Sequence, residues 1–164
     1  MLIEKVSDEN QIDIIEALAC EIWNEYFTPV IGKAQVDYML EKFQSKKAIT
    51  EQLNNGFLYF LINSNHDPAG YIGVLPQDGQ LFLSKLYLRL PERGKGYGSK
   101  ALEFVEQLAT EKGLEKISLT VNRHNTATVN IYKKLGFENR GSTIKDIGHG
   151  FVMDDFLMEK KAGQ

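Results

Sequence analysis

The stretch LRLPERGKGYGSKALEFVEQLA, Leu88–Ala109, decides the reading of this chain. Gly94, Gly96 and Gly98 alternate with Lys95 and Tyr97, follow Arg93, and open a run in which Ala101, Val105, Leu108 and Ala109 share one helical face. Glycine is among the poorest helix formers, so three of them at a helix entrance need a reason. Just upstream, "LFLSKLYLRL" reads as a strand. A strand, a glycine turn and a helix together form an anion-binding arrangement. The first helical turn leaves N–H groups unpaired, the helix dipole adds partial positive charge, and glycine lets the backbone come close to a phosphate. Arg93 and Lys95 add cationic charge. A tight turn with ordinary capping would need only one glycine.

Two nucleotide motifs fail on spacing. A P-loop requires G-x-x-x-x-G-K-[ST], and no placement of these glycines gives it. A dinucleotide-binding turn requires G-x-G-x-x-G, whereas the spacing here is G-x-G-x-G.

Outward from this junction, the chain alternates helical and strand periods. "MLIEKV" reads as a first strand. Behind the capping candidates Ser7 and Asp8, Ile12, Ile15, Leu18, Ile22, Trp23 and Tyr26 keep helical spacing, and Pro29 is expected to end that helix. A second helical stretch runs from about Lys33 to Leu53 with a break near Ser45. "GFLYFLIN" and "AGYIGVL" are strands around a turn at "NSNHDP". Beyond the glycine helix, Gly113 suits a C-terminal cap, "EKISLTV" is a strand, and Asn125 caps a helix that Gly136 ends. "FENRGSTI" and "FVMDDFLMEK" form a last strand pair. The order β-α-α-β-β-β-α-β-α-β-β argues an α/β fold, a mixed sheet covered by helices, in a single domain over 1–164.

Composition narrows the function classes. The 164 residues carry 19 Lys and Arg against 22 Asp and Glu, a net charge of −3, which gives no whole-molecule signal for nucleic acid or an anionic membrane. No apolar run approaches transmembrane length, and the N-terminus lacks a signal-peptide layout. The single cysteine, Cys20, cannot form an internal disulfide and reads as a buried, inert thiol; a cytoplasmic location fits. No spacing of His, Cys, Asp and Glu suits a metal.

The pattern R-x-x-G-x-G, Arg93 through Gly98, resembles the GNAT superfamily of acyl-CoA N-acyltransferases. "VNRHNTATVNIYKKLGF", Val121–Phe137, is similar to that superfamily's second segment: strand, Asn, helix, Tyr and Gly-Phe. The resemblance implies a central, mostly antiparallel mixed sheet and acetyl-CoA as the acyl donor. It places the pyrophosphate on Arg93, Gly94, Lys95, Gly96, Tyr97, Gly98 and Ser99. Backbone groups around Leu86, Tyr87 and Leu88 would hold the acetyl carbonyl and pantetheine arm, where a fixed donor stabilises the oxyanion. A bulge in that strand and a splay from the next are implied too.

By the same resemblance Asn125 contacts the cofactor, a role compatible with plain N-capping. Tyr132 protonates the departing thiolate; a core aromatic in its place would need no hydroxyl. Relatives with a glutamate base carry it on the strand before the loop, but Leu81–Lys85 contains no carboxylate. Acceptor-side candidates are Tyr26 and Tyr38, whose tips are polar, and Asp154 and Asp155, one of which must lie among apolar neighbours. Trp23 reads as core. The expected partner is a small-molecule amine, first a polyamine, with a peptide N-terminus or lysine second and a non-catalytic acyl-CoA sensor third. A homodimer is compatible with this reading.

Overall fold

In a computed structural model, which describes residues 1–163, the hydrophobic spacing condenses into seven strands and six α-helices. The chain divides into two compact units, Met1–Leu75 with Lys85–Leu102, and Pro76–Ser84 with Glu103–Gln164.

The first unit contains β1 (Leu2–Lys5), α1 (Glu9–Tyr26), α2 (Thr28–Ile31), α3 (Lys33–Phe43), α4 (Lys46–Asn54), β2 (Leu58–Ser64) and most of β3 (Asp67–Gln77). The second half of β4 (Gln80–Leu88) and the first turns of α5 (Tyr97–Glu111) complete it. Helix α1 starts on a capping box: Asp8 accepts from the Gln11 N–H, while the Gln11 side chain accepts from the Asp8 N–H. Its apolar stripe, Ile12, Ile15, Leu18, Ala19, Ile22 and Trp23, is buried as the spacing requires. Trp23 is core. Cys20 corrects the expectation of a buried thiol: it stands beside that stripe and is exposed. Pro29 corrects another. The helix ends at Tyr26, and Pro29 occupies the first turn of α2, where a missing N–H costs nothing. The break near Ser45 is real, and Ser45 Oγ caps α4 by accepting from the Ala48 N–H. β1 and β2 pair antiparallel, as do β2 and β3.

The second unit contains the first half of β4, most of α5, β5 (Lys116–Asn122), α6 (Thr126–Lys134), β6 (Glu138–Gly148) and β7 (Phe151–Lys161). β7 lies between β5 and β6 and pairs antiparallel with both. The parallel ladder of β4 with β5 joins only Gln80–Phe82 to Lys116–Ser118; Leu83 and Ser84 take no β5 partner. The strand order is β1-β2-β3-β4-β5-β7-β6, a mixed sheet dominated by antiparallel pairs. The core of this unit includes Ile117, Leu119, Met158, Val129 and Phe137.

Candidate functional site

The glycine loop and the first turns of its helix fall in the first unit. A 3-10 turn, Leu90–Glu92, carries the chain from β4 into the loop. Gly94 and Gly96 adopt φ of 79° and 80°, and a Cβ at either would meet nothing within 4 Å. Backbone conformation, not space, demands glycine at both positions. Among the described residues, the Lys100 N–H is the first of the helix to find a backbone acceptor, Gly96 O at 3.2 Å. Among the described residues the N–H groups from Gly94 to Ser99 thus have no backbone acceptor at the start of a 15-residue helix, the donor set an anion needs. Tyr97 Oη meets Ser64 Oγ at 2.8 Å, which ties this first helical turn to β2.

Both loop cations are held by carboxylates. The Arg93 guanidinium lies 3.5 Å from Glu25, stacks over the Tyr26 ring, and donates from Nε to Leu88 O at 3.0 Å. Lys95 pairs with Glu92 at 3.3 Å. Exposed ion pairs of this kind contribute about 1 kcal/mol or less, so either cation can exchange its carboxylate for a phosphate. Tyr26 is therefore joined to the loop. Tyr38, on α3, accepts from Lys42 Nζ at 3.1 Å.

Leu86, Tyr87 and Leu88 end β4 half-buried. The Tyr87 ring packs against Trp23, Phe27 and Tyr71, with centroids 5.6, 5.8 and 5.5 Å away. The buried ionisable residue that sequence reasoning missed is Lys85. Leu81, Leu83 and Lys85 share strand parity, so the pattern already placed a lysine on a buried face. It is only 5% exposed and makes no ion pair among the described residues. Burial pulls its amine down to about 7.

The second unit carries the other predicted residues. Asn125 caps α6, accepting from the Thr128 N–H at 3.4 Å. Tyr132 lies half-buried on α6, edge-on to Phe137 at 5.4 Å. The paired acids of β7 separate by face. Asp154 forms an ion pair with Arg123 at 2.6 Å. Asp155 is the acid among apolar neighbours: buried, without an ion-pair partner among the described residues, opposite Asn122 of β5 and Thr143 of β6. Burial chiefly, and then the charge of Asp154, raise its carboxyl to about 6, against a hydrogen bond from Thr120 that lowers it.

A carboxyl whose pKa rises on folding makes the native state bind more protons than the unfolded state between about pH 4 and 6. Stability therefore falls as pH rises through that window, and at pH 7 the Asp155 carboxylate opposes folding. Asp155→Asn is expected to raise stability by ~1–2 kcal/mol at pH 7.5 and to leave it unchanged at pH 4. Urea denaturation at the two pH values checks this; a variant destabilised at pH 7.5 would show instead that the charge is compensated.

Comparison with known proteins assigns the chain. The sequence profile of the acetyltransferase (GNAT) family matches residues 17–137, which cover both the glycine loop and α6. The chain belongs to the GNAT family. An uncharacterised N-acetyltransferase of Bacillus subtilis (strain 168), YycN, is 31% identical over 105 residues, 57% of this chain and 67% of that protein. The L-ornithine N5-acetyltransferase of Arabidopsis thaliana is 27% identical across 67% of this chain, and the thialysine N-epsilon-acetyltransferase of Sus scrofa 32% across 51%. The matched parts span about half of these two enzymes, 46% and 48%. A crystal structure of the PaiA N-acetyltransferase of Thermoplasma acidophilum with coenzyme A superposes at a TM-score of 0.76 and 22% identity. It covers 98% of this chain and 99% of that one, so the fold is that of the family.

Proposed function

We propose that the protein transfers the acetyl group of acetyl-CoA to the primary amine of a cationic small molecule, by direct attack of the amine on the thioester. The observation that carries the reading is the run of N–H groups from Gly94 to Ser99 that, among the described residues, have no backbone acceptor, with two left-handed glycines at the entrance of α5. Such a donor set fits a pyrophosphate. Arg93 and Lys95 add charge to that site, and the backbone of Leu86–Leu88 offers hydrogen-bonding groups to the acyl arm.

Asp155 supports a cationic acceptor. A buried carboxylate without an ion-pair partner gains most from a substrate that brings its own ammonium, because that pairing offsets the desolvation. The enzymes named for ornithine and thialysine act on small cationic amines, which agrees with this choice over a peptide. In this reading Asn125 lends its side chain to the cofactor as well as to the helix, and Tyr132 gives its phenolic proton to the leaving thiolate.

The test is release of free thiol from acetyl-CoA against polyamines, amino acids, aminoglycosides and short peptides. Tyr132→Phe is expected to reduce kcat by ~10²-fold with acetyl-CoA affinity unchanged. Thiol release by polyamines or basic amino acids supports the reading, and release by peptides alone transfers it to a protein acetyltransferase. Tight acetyl-CoA binding with no acceptor-stimulated release would identify a sensor.

A further inference from the structure

We propose that Glu25 and the ring of Tyr26 form a seat for the non-reacting ammonium of the acceptor, and that Arg93 fills this seat until it turns to the cofactor phosphates. The inference rests on the acetyl-transfer reading above and names the substrate class within it: a diamine or a basic amino acid.

Two arginine–glutamate pairs run side by side along α1. Glu21 and Glu25 stand four residues apart, on one face of the helix. Arg89 Nε donates to Glu21 at 2.7 Å. Arg93 is held more loosely. Its Nη2 lies 3.5 Å from Glu25, longer than a charge-assisted hydrogen bond, while its Nε is committed to Leu88 O at 3.0 Å. The guanidinium carbon lies 5.0 Å from the centre of the Tyr26 ring. One carboxylate and one aromatic face therefore already hold a cation between them. They hold it against the carbonyl of Leu88, in the part of β4 that the proposed reading gives to the acyl arm.

Arg93 also belongs to the glycine loop, and a phosphate outcompetes Glu25 for it. Phosphate oxygens accept paired N–H bonds from a guanidinium. The side chains of Arg93 and Glu25 are 30% and 40% exposed, so water screens their pair. When Arg93 turns its terminal nitrogens to a phosphate, Glu25 keeps its charge and Tyr26 keeps its ring face. Those two groups suit an ammonium: the carboxylate supplies charge and the ring a cation–π contact.

A diamine or basic amino acid carries two amino groups on one chain. One can be seated as an ammonium while the other, deprotonated, attacks the thioester. A monoamine has only the group that reacts and gains nothing from the seat. Affinities for cofactor and acceptor are thereby coupled with a fixed sign. Glu25 competes with phosphate for Arg93, and Arg93 competes with the acceptor for Glu25, so each ligand tightens the other. Neutralising Glu25 must then move the two affinities in opposite directions. A merely structural ion pair would weaken both or neither.

The experiment titrates 1,4-diaminobutane calorimetrically into the protein alone and into its complex with coenzyme A, which has the pyrophosphate but no acetyl group to lose. The wild type is expected to bind the diamine ~10-fold more tightly in the complex. Glu25→Gln should bind coenzyme A about two- to fivefold more tightly than the wild type, and the diamine about fivefold more weakly in the complex. Arg93→Ala should bind the diamine equally with and without coenzyme A. Glu21→Gln, which releases Arg89 instead, should leave both affinities within about twofold. In thiol release, the wild type should have a lower KM for 1,4-diaminobutane than for butylamine, and Glu25→Gln should lose that preference with kcat little changed. Diamine affinity indifferent to coenzyme A in the wild type, or a Glu25→Gln protein that weakens on both ligands or on neither, overturns the seat alone. A wild type that binds acetyl-CoA but releases no thiol with any amine overturns the transferase reading itself, and this proposal with it.

Discussion

Replacing Gly70 with alanine is expected to cost ~3 kcal/mol of stability and ~10 °C in Tm, although the change adds a single methyl group. A Cβ on Gly70 would lie 2.1 Å from Tyr87 O and 3.1 Å from Leu88 Cα. Both are backbone atoms, so no rotamer change relieves the overlap. β3 and β4 must separate, and the Arg89 N–H to Ala69 O bond of 2.8 Å, next to the contact, is strained with them. Elsewhere in a strand the same substitution would be favourable by about 0.5–1 kcal/mol through lost chain entropy. The sign is therefore decided by the close approach. Gly98→Ala provides the contrast: its Cβ would come no nearer than 4.0 Å, to the flexible end of Leu88, and alanine favours the helix. Thermal and urea denaturation of the two variants measure the difference. A Gly70→Ala protein melting within 2 °C of the wild type would show that β4 yields easily at Tyr87.

That contact matters because it occurs in the strand segment the acyl arm would use. The approach of β3 to the Tyr87 carbonyl sets the course of Leu86–Leu88, so damage at Gly70 should reach acetyl-CoA affinity as well as stability. The sequence hinted at none of this. Gly70 stands in an unbroken apolar run, "AGYIGVL", and its neighbour across the sheet is 17 positions later in the chain. Nor is Lys85 legible beyond its parity: a buried lysine reads like a surface one until Gln52 and Tyr59, from α4 and β2, are seen to converge on it.

What was legible is what local physics dictates. The helix start at the Ser7–Asp8 pair, the break at Ser45, the Asn125 cap and the glycine-led start of α5 depend on residues a few positions apart, and each falls where the sequence puts it. Periodicity likewise settled the helix faces, and it placed one acid of the Asp154–Asp155 pair inside; which acid, and that Arg123 takes the other, required the β5–β7 register. Cys20 shows the limit of neighbourhood reasoning. Its flanking residue Ala19 is fully buried, but a rotation of about 100° carries the thiol into solvent.

Gly96→Val is expected to weaken acetyl-CoA binding by ~10²-fold while leaving the fold nearly intact, and Gly96→Asn should fall between valine and glycine. Position 96 has φ of 80° and open space around its absent Cβ, so a Cβ clashes with nothing in the protein. The penalty is conformational. A β-branched residue at positive φ costs ~1–3 kcal/mol, and the chain relieves it by rotating the peptide units on either side. Those units carry the N–H groups of Gly96 and Tyr97, two of the donors that make the site. Relief of strain thus turns donors away from the phosphates, and the loss appears as affinity rather than stability. Asparagine tolerates the left-handed region, hence its intermediate place. The order Gly, Asn, Val in acetyl-CoA Kd, measured by calorimetry alongside Tm, is the signature of a backbone donor site. Equal losses for Asn and Val would mean that side-chain bulk against the ligand, not peptide orientation, governs the loop. Unchanged affinity in both would remove the pyrophosphate from these glycines altogether.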